Sequence, residues 1–486
     1  MKKIYYLLFI VLTVFASSCT DDFEDWNTDK KNPAEVSGNA LFSNAEKDLA
    51  DQLNTPNVNW NNWNLWAQYW TETTYTDEAN FDIVNRNVPQ NVYRAFYRRV
   101  LKDLDEAATL IEEEEVAASL EVDKQNKLHI IEVLNVFVYS RLVDVFGMVP
   151  YTEALDVENV YPSYDAGEDI YADLFTRLNT AISGLDAAGG SFGSADFYYG
   201  GDVSKWIKFG NTLKVRMAIT VADDPTFDAQ SLVEEAYEGA FESTADDCLM
   251  PYATSSPNFN PIHENLVASG RDDYVGANTI IDIMNAYNDP RIDNYFEPTG
   301  GVFIGGEYGE TSAFGTHSHV AGLIQAPNFK GIILTYNELQ FYIAEAAARG
   351  YSVGGTAKKL YDEAITTSIL SWGGTQAEAD AYLAQSKVDY ASAIAASSAT
   401  DPWREVIGTQ SWIASYVNGF VGWTTWRRLD YPVLNMPPSP YDGITSVPTR
   451  FTFPINEQTL NDANYADAAS AVGGDELVTK IFWDKY

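Results

Sequence analysis

Cysteine is nearly absent: Cys19 and Cys248 are the only two in 486 residues. That excludes a disulfide-stapled fold and a cysteine-rich zinc site. Histidine is almost as scarce, with His129, His263, His317 and His319 making up the whole set. The "THSH" stretch sets His317 and His319 on one side of an extended segment, but two ligands without a matched third do not make a metal centre. No metal and no cofactor are expected. Basic residues are few as well, 31 Lys and Arg against 69 Asp and Glu, for a formal net charge of −38. Nucleic-acid affinity comes from Lys and Arg neutralising phosphates, so a nucleic-acid partner is excluded. Polyanions are repelled, and neutral ligands are the easiest to accommodate. A glycine-rich phosphate loop, a nucleophile elbow and a paired-cysteine metal motif are all missing. The acids are so numerous that no carboxylate pair stands out as catalytic.

The first long apolar run stands at the N-terminus. Lys2 and Lys3 precede residues 4–15, which are apolar apart from Thr13, and "ASSC" then ends at Cys19. The run is too short to span a bilayer and has the form of a signal-peptide core. Small residues ending in cysteine fit a bacterial lipoprotein signal, so residues 1–18 are read as that signal and Cys19 as the acylated residue. Cys248 is then left without a disulfide partner. Residues 19–36, "CTDDFEDWNTDKKNPAEV", are acidic and polar and carry Pro33, which suits an extended tether.

The rest, 37–486, reads as one large helical domain. Hydrophobic residues are 46% and aromatics 14% of the chain, the composition of an ordered core. In 91–115, Val92, Ala95, Phe96, Val100, Leu104, Ala107 and Ile111 recur at helical spacing. In 124–146 the pattern repeats, and Gly147 with Pro150 gives a helix-end signature. Similar patterns predict helices over 168–186, 203–222, 228–241, 336–349, 356–371 and 403–428. The stretch 335–373 reads as a helical hairpin, with Ala344, Ala346, Ala347 and Ala364 at the crossing, Gly350 ending its first helix and Gly354–Gly355 forming the turn. It resembles a tetratricopeptide repeat with an enlarged turn. Across 245–335 and 431–465 the helical period fades, and loops with a few short strands are expected. Asp289-Pro290-Arg291 and Trp426-Arg427-Arg428 are read as sources of buried arginines that pin helices.

Several segments together resemble the SusD/RagB-like outer-membrane lipoproteins of Bacteroidetes, most closely the second SusD-like subfamily. They are "SRLVDVFGMVPYTEAL" (140–155), "YYGGDVSKWIKFGNTLKVRMAI" (198–219), "NDPRIDNYFEP" (288–298), "LTYNELQFYIAEAAARG" (334–350), "QSWIASYVNGFVGWTTWRRLDYP" (410–432) and "VPTRFTFPINEQTLNDANY" (447–465). Two departures are local: Val421 stands where an acidic residue is common, and Leu429–Asp430 replaces a small polar–Gly pair. The resemblance implies a mostly α fold of tetratricopeptide-like helix pairs with loop-rich elaborations and a few short strands. It implies a lipid-anchored protein of the cell surface that binds a nutrient, usually an oligosaccharide, and passes it to a SusC-like TonB-dependent transporter without catalysis. It also gives Asp21, Asp22, Glu24 and Asp25 a second reading, as an export signal.

The shared segments are scaffold, so the ligand site has to be sought elsewhere. "NVNWNNWNLWAQYW" (57–70) holds four of the 12 tryptophans. "WAQYW" resembles the scaffold, which assigns Trp66 and Trp70 to the core. Trp60 and Trp63, with Asn59 and Asn62, combine flat apolar faces with amides, the chemistry a sugar ring and its hydroxyls require. Tyr75, Phe81, Tyr274 and Tyr308 are further candidates in weakly patterned loops. Two alternatives stay open. One is a peptide-binding protein of the same architecture; the other is a surface glycoside hydrolase.

Overall fold

The computed structural model describes residues 36–486. Cys19 and the acidic residues Asp21, Asp22, Glu24 and Asp25 lie outside the described residues. Helices dominate, joined by long loops. Ser37 caps the first helix, α1 (Gly38–Asn54), by accepting from the Ala40 amide. Gly38 lets α1 approach closely: a Cβ there would lie 2.7 Å from Ile111 and 2.8 Å from the Ala107 carbonyl. Those residues belong to a long helical segment made of α2 (Val88–Arg94), a π-helical stretch (Ala95–Leu101) and α3 (Lys102–Glu113). Next come α4 (Glu121–Phe146), α5 (Gly167–Gly184) and α6 (Val203–Thr220), packed in succession. Gly147 closes α4 at φ +82, the conformation that glycine adopts without strain.

The expected hairpin forms from α7 (Tyr336–Ala348) and α8 (Ala357–Ser371). Gly350 and Gly354, at φ +91 and +76, turn the chain between them. Ala344, Ala346 and Ala364 are fully buried at the crossing, whereas Ala347 is only half-buried. Residues 403–428 do not form one helix. They form α9 (Pro402–Ala414) and α10 (Gly419–Leu429), separated by a break in which Val417 takes φ +62. Apolar residues on both sides keep helical spacing, so periodicity alone reads straight across the break. The loop-rich region 245–335 contains, besides short strands, a regular helix, Asn278–Tyr287.

The strands make three two-stranded antiparallel ladders: Trp70–Glu72 with Tyr274–Gly276, Cys248–Met250 with Gly331–Leu334, and Phe296–Glu297 with His319–Val320. Each joins segments distant in sequence or anchors a loop. The arginines do the same with charge. Arg428 on α10 meets Glu345 on α7 at 2.9 Å, and Arg216 on α6 meets Asp144 on α4 at 2.8 Å. Arg291 pairs with Asp289 and also donates to Ser368 on α8 and Gln410 on α9. Buried charges persist only when paired and hydrogen-bonded, so these contacts fix helix positions more than they add net stability. Among the described residues, no helix is long and apolar enough to cross a membrane.

Candidate ligand-binding site

The structure separates the four tryptophans of 57–70. Trp63, Trp66 and Trp70 are buried, at 1%, 0% and 1% exposure. Trp63 meets Phe420 edge-on at 5.0 Å, and Trp66 is enclosed by Phe81, Trp423 and Phe451. Trp70 donates its indole N–H to the Tyr416 hydroxyl at 2.9 Å. A Cβ on Gly419 would come within 2.6 Å of the Trp63 carbonyl, which shows how tightly the start of α10 seals this stretch. The expected platform is therefore corrected at Trp63 and Asn62, both of which are closed off from solvent. Phe81, Tyr274 and Tyr308 are corrected in the same way, at 0%, 6% and 1% exposure. Phe81 packs edge-on to Trp66, Tyr308 leans on Phe81, and the Tyr274 hydroxyl is used up on the Pro56 carbonyl.

Trp60, Asn59 and Tyr75 keep access to solvent. Trp60 is half-buried, carries the Arg99 guanidinium 4.5 Å over its ring, and lines a recess of about 470 Å³ with Asp48, Asp51, Asn57 and Glu264. Asn59 is exposed, but its amide donates to Asn57 Oδ1. Tyr75 is 72% exposed and lines neither this recess nor the cleft described next. His319 stacks on Phe314, and among the described residues no three metal-binding groups converge.

A larger concentration of ligand-type chemistry lies elsewhere, in a cleft of about 470 Å³ built by four elements. The strand Gly331–Leu334 runs into Thr335, which caps α7 by accepting from the Glu338 amide. That turn sets Asn337 and Glu338 at the cleft. The C-terminus of α8 delivers Trp372, and the break between α9 and α10 delivers Tyr416 and Asn418. Phe329 comes from the preceding loop and lies near-parallel to Trp372, with centroids 6.5 Å apart and 26° between planes. Trp372 is braced edge-on by Tyr295 at 4.7 Å. The indole is half-buried and lines the cleft.

The polar wall is rich in acceptors. Burial pushes the Asp247 carboxyl up to about 6, although the Tyr336 amide donates to it at 2.7 Å. Burial also raises the Glu338 carboxyl, against the opposing pull of Arg141 and Arg216. Glu338 accepts from the Tyr342 hydroxyl through one oxygen at 2.8 Å, while its other oxygen and the Asn337 side-chain oxygen are buried without partners. Unsatisfied buried acceptors are costly, so this wall carries acceptor capacity that the fold itself leaves unused. Apolar faces beside convergent acceptors match a sugar-like ligand. Sequence reading missed this site because Asp247, Phe329, Trp372 and Tyr416 are far apart in the chain. The one local signal was Trp372 itself, a large aromatic at a helix end followed by two glycines.

Comparison with known proteins bears on the same question. Residues 30–454 match the SusD-like_2 family model, described as starch-binding associating with outer membrane. A solved SusD homologue from Bacteroides uniformis shares 26% identity, covers 92% of this chain and 99% of its own, and superposes with a TM-score of 0.79. A chitin-binding SusD homologue from Flavobacterium johnsoniae is 24% identical over 92% of this chain and 98% of its own, with a TM-score of 0.77. A SusD homologue from Bacteroides thetaiotaomicron is 23% identical over 93% and 100%, with a TM-score of 0.75. No curated protein matches by sequence. Helical architecture, short strand ladders and a family match over most of the length agree: this chain belongs to the SusD-like family.

Proposed function

We propose that this protein captures an oligosaccharide at the cell surface in the Trp372 cleft and passes it to a SusC-like TonB-dependent transporter, without catalysis. One observation carries the choice of site: the near-parallel Trp372 and Phe329 rings stand beside buried, unpartnered acceptors on Asn337 and Glu338. A sugar stacks its C–H face on the open indole and turns its hydroxyls toward the acceptors. Family membership supports glycan binding, and a structural neighbour is a chitin-binding protein. Residues 37–486 are the binding unit, 19–36 the tether, Cys19 the acylated anchor, and Asp21, Asp22, Glu24 and Asp25 the export signal. Trp60, Asn59 and Tyr75, which stay open to solvent outside the cleft, are the alternative contacts.

A glycan array followed by titration calorimetry tests this. Trp372→Ala should weaken binding of the selected glycan while the fold is retained. If Trp372→Ala binds like wild type and Trp60→Ala or Tyr75→Ala loses affinity, the cleft is not the site. Products accumulating from the bound glycan on overnight incubation would overturn the non-catalytic reading. Affinity that falls steeply with added salt would instead favour basic peptides, for which Asp247 and Glu338 provide carboxylates.

A further inference from the structure

The chain is strongly acidic, yet residues 83–102 contain no Asp or Glu and carry Arg86, Arg94, Arg98, Arg99 and Lys102. Helix α6 is another acid-free stretch. There Lys208, Lys214 and Arg216 each pair with a carboxylate. By contrast, Arg94, Arg98 and Arg99 are exposed and form no ion pair among the described residues. The surplus positive charge coincides with the π-helical stretch Ala95–Leu101. Such stretches are rare and gather at functional sites, because the widened turn re-aims side chains at a cost in helix stability.

Here the π-helical segment borders a groove of about 330 Å³ whose lining includes Tyr93, Tyr97, Arg98, Lys102, Val157 and Glu457. The two tyrosine rings lie 4.5 Å apart, and the Tyr97 hydroxyl is tied to the Pro150 carbonyl, which holds the ring in place. Val157, 74% exposed, adds an apolar edge that the fold itself does not use. Glu457 accepts from the Tyr164 hydroxyl at 3.1 Å, leaving carboxylate acceptor capacity at the groove.

We propose that this groove is a second ligand site, one that takes a saccharide carrying a carboxylate. Arg98 meets the carboxylate, beside Lys102, which is itself paired with Asp105 at 2.8 Å; the tyrosine rings and Val157 meet the sugar's C–H surface, and Glu457 accepts a hydroxyl. A single negative charge fits better than a phosphate dianion, because Asp156 and Glu457 also line the groove and repel a second charge. The site shares no lining residue with the Trp372 cleft and stands whether or not that cleft binds glycan.

Calorimetric titration of the protein with glucuronosyl-xylotriose, which carries one carboxylate, and with its neutral counterpart xylotriose tests the proposal. The acidic sugar should bind at least about tenfold more tightly, and Arg98→Gln should remove about tenfold of its affinity, as loss of one charge-assisted hydrogen bond does. Arg98→Lys should retain most of that affinity, and Trp372→Ala should leave it unchanged. Arg98 is exposed, so these variants should melt like wild type. Equal affinity for the two probes overturns the proposal, as does unchanged binding of the acidic sugar in Arg98→Gln. Loss of acidic-sugar binding in Trp372→Ala also overturns it, by assigning the acid to the cleft.

Discussion

Trp66 and Trp372 are the same side chain in opposite circumstances. Trp66 lies in a short helix against which α10 packs closely, and rings from three other segments close over it. Trp372 ends a helix, packs against Tyr295 and Tyr416, and lines a cleft. Aromatic density in sequence therefore points away from the candidate site in this protein. Four tryptophans in 14 residues mostly seal the core, and a single tryptophan at a helix end offers the open face.

The largest expected effect is on the buried side of that comparison. Trp66→Ala should cost about 3–5 kcal/mol of stability, as large-to-small core changes do. Trp372→Ala should cost much less in the same urea titration. Equal losses would mean that Trp372 is also a core residue. Ala346→Leu probes the core without an aromatic: Ala346 is fully buried in α7, and overpacking should cost about 1–3 kcal/mol, read as a lowered thermal midpoint. On the open side, Trp372→Ala should weaken glycan binding by about 1–3 kcal/mol, the range of an aromatic hot spot. Trp60→Ala should change both stability and affinity less than Trp372→Ala changes affinity, because Arg99 already covers one face of its ring.

The smallest effect is a pH dependence. Asp247 has its folded value raised from 3.8 to about 6, so its proton is held more tightly in the folded state. Its contribution to stability is complete below 3.8 and is lost as pH rises through about 6. Asp247→Asn should flatten that part of the melting-temperature profile, and a slope left intact would assign it to another group.

Much of the scaffold was legible from sequence. The α7–α8 hairpin followed from apolar spacing and from Gly350 and Gly354, and Gly147 marked the end of α4 as the structure shows. The buried arginines were anticipated too, because Arg291 and Arg428 sit in apolar surroundings that tolerate charge only when paired. The break inside 403–428 was missed: apolar spacing continues across it, and the Asn418-Gly419 turn signal that follows Val417, itself in a left-handed conformation, was outweighed by that periodicity. Site reading fared worst at Trp63, Phe81, Tyr274 and Tyr308. Weak patterning suggested loops, but loops here are pulled under other segments: Phe81 lies against Trp66, and the Tyr274 strand pairs with Trp70–Glu72.

By itself the sequence determined the helical class, the family resemblance and the unsuitability for polyanions, because periodicity, motif order and net charge are properties of the chain read along its length. Which aromatics face solvent was decided only by the tertiary structure. Exposure depends on what packs over a side chain, and at both tryptophans that is chain from remote positions. Phe451 and Trp423 close over Trp66, while Asp247, Phe329 and Tyr416 gather around Trp372 and leave space between them.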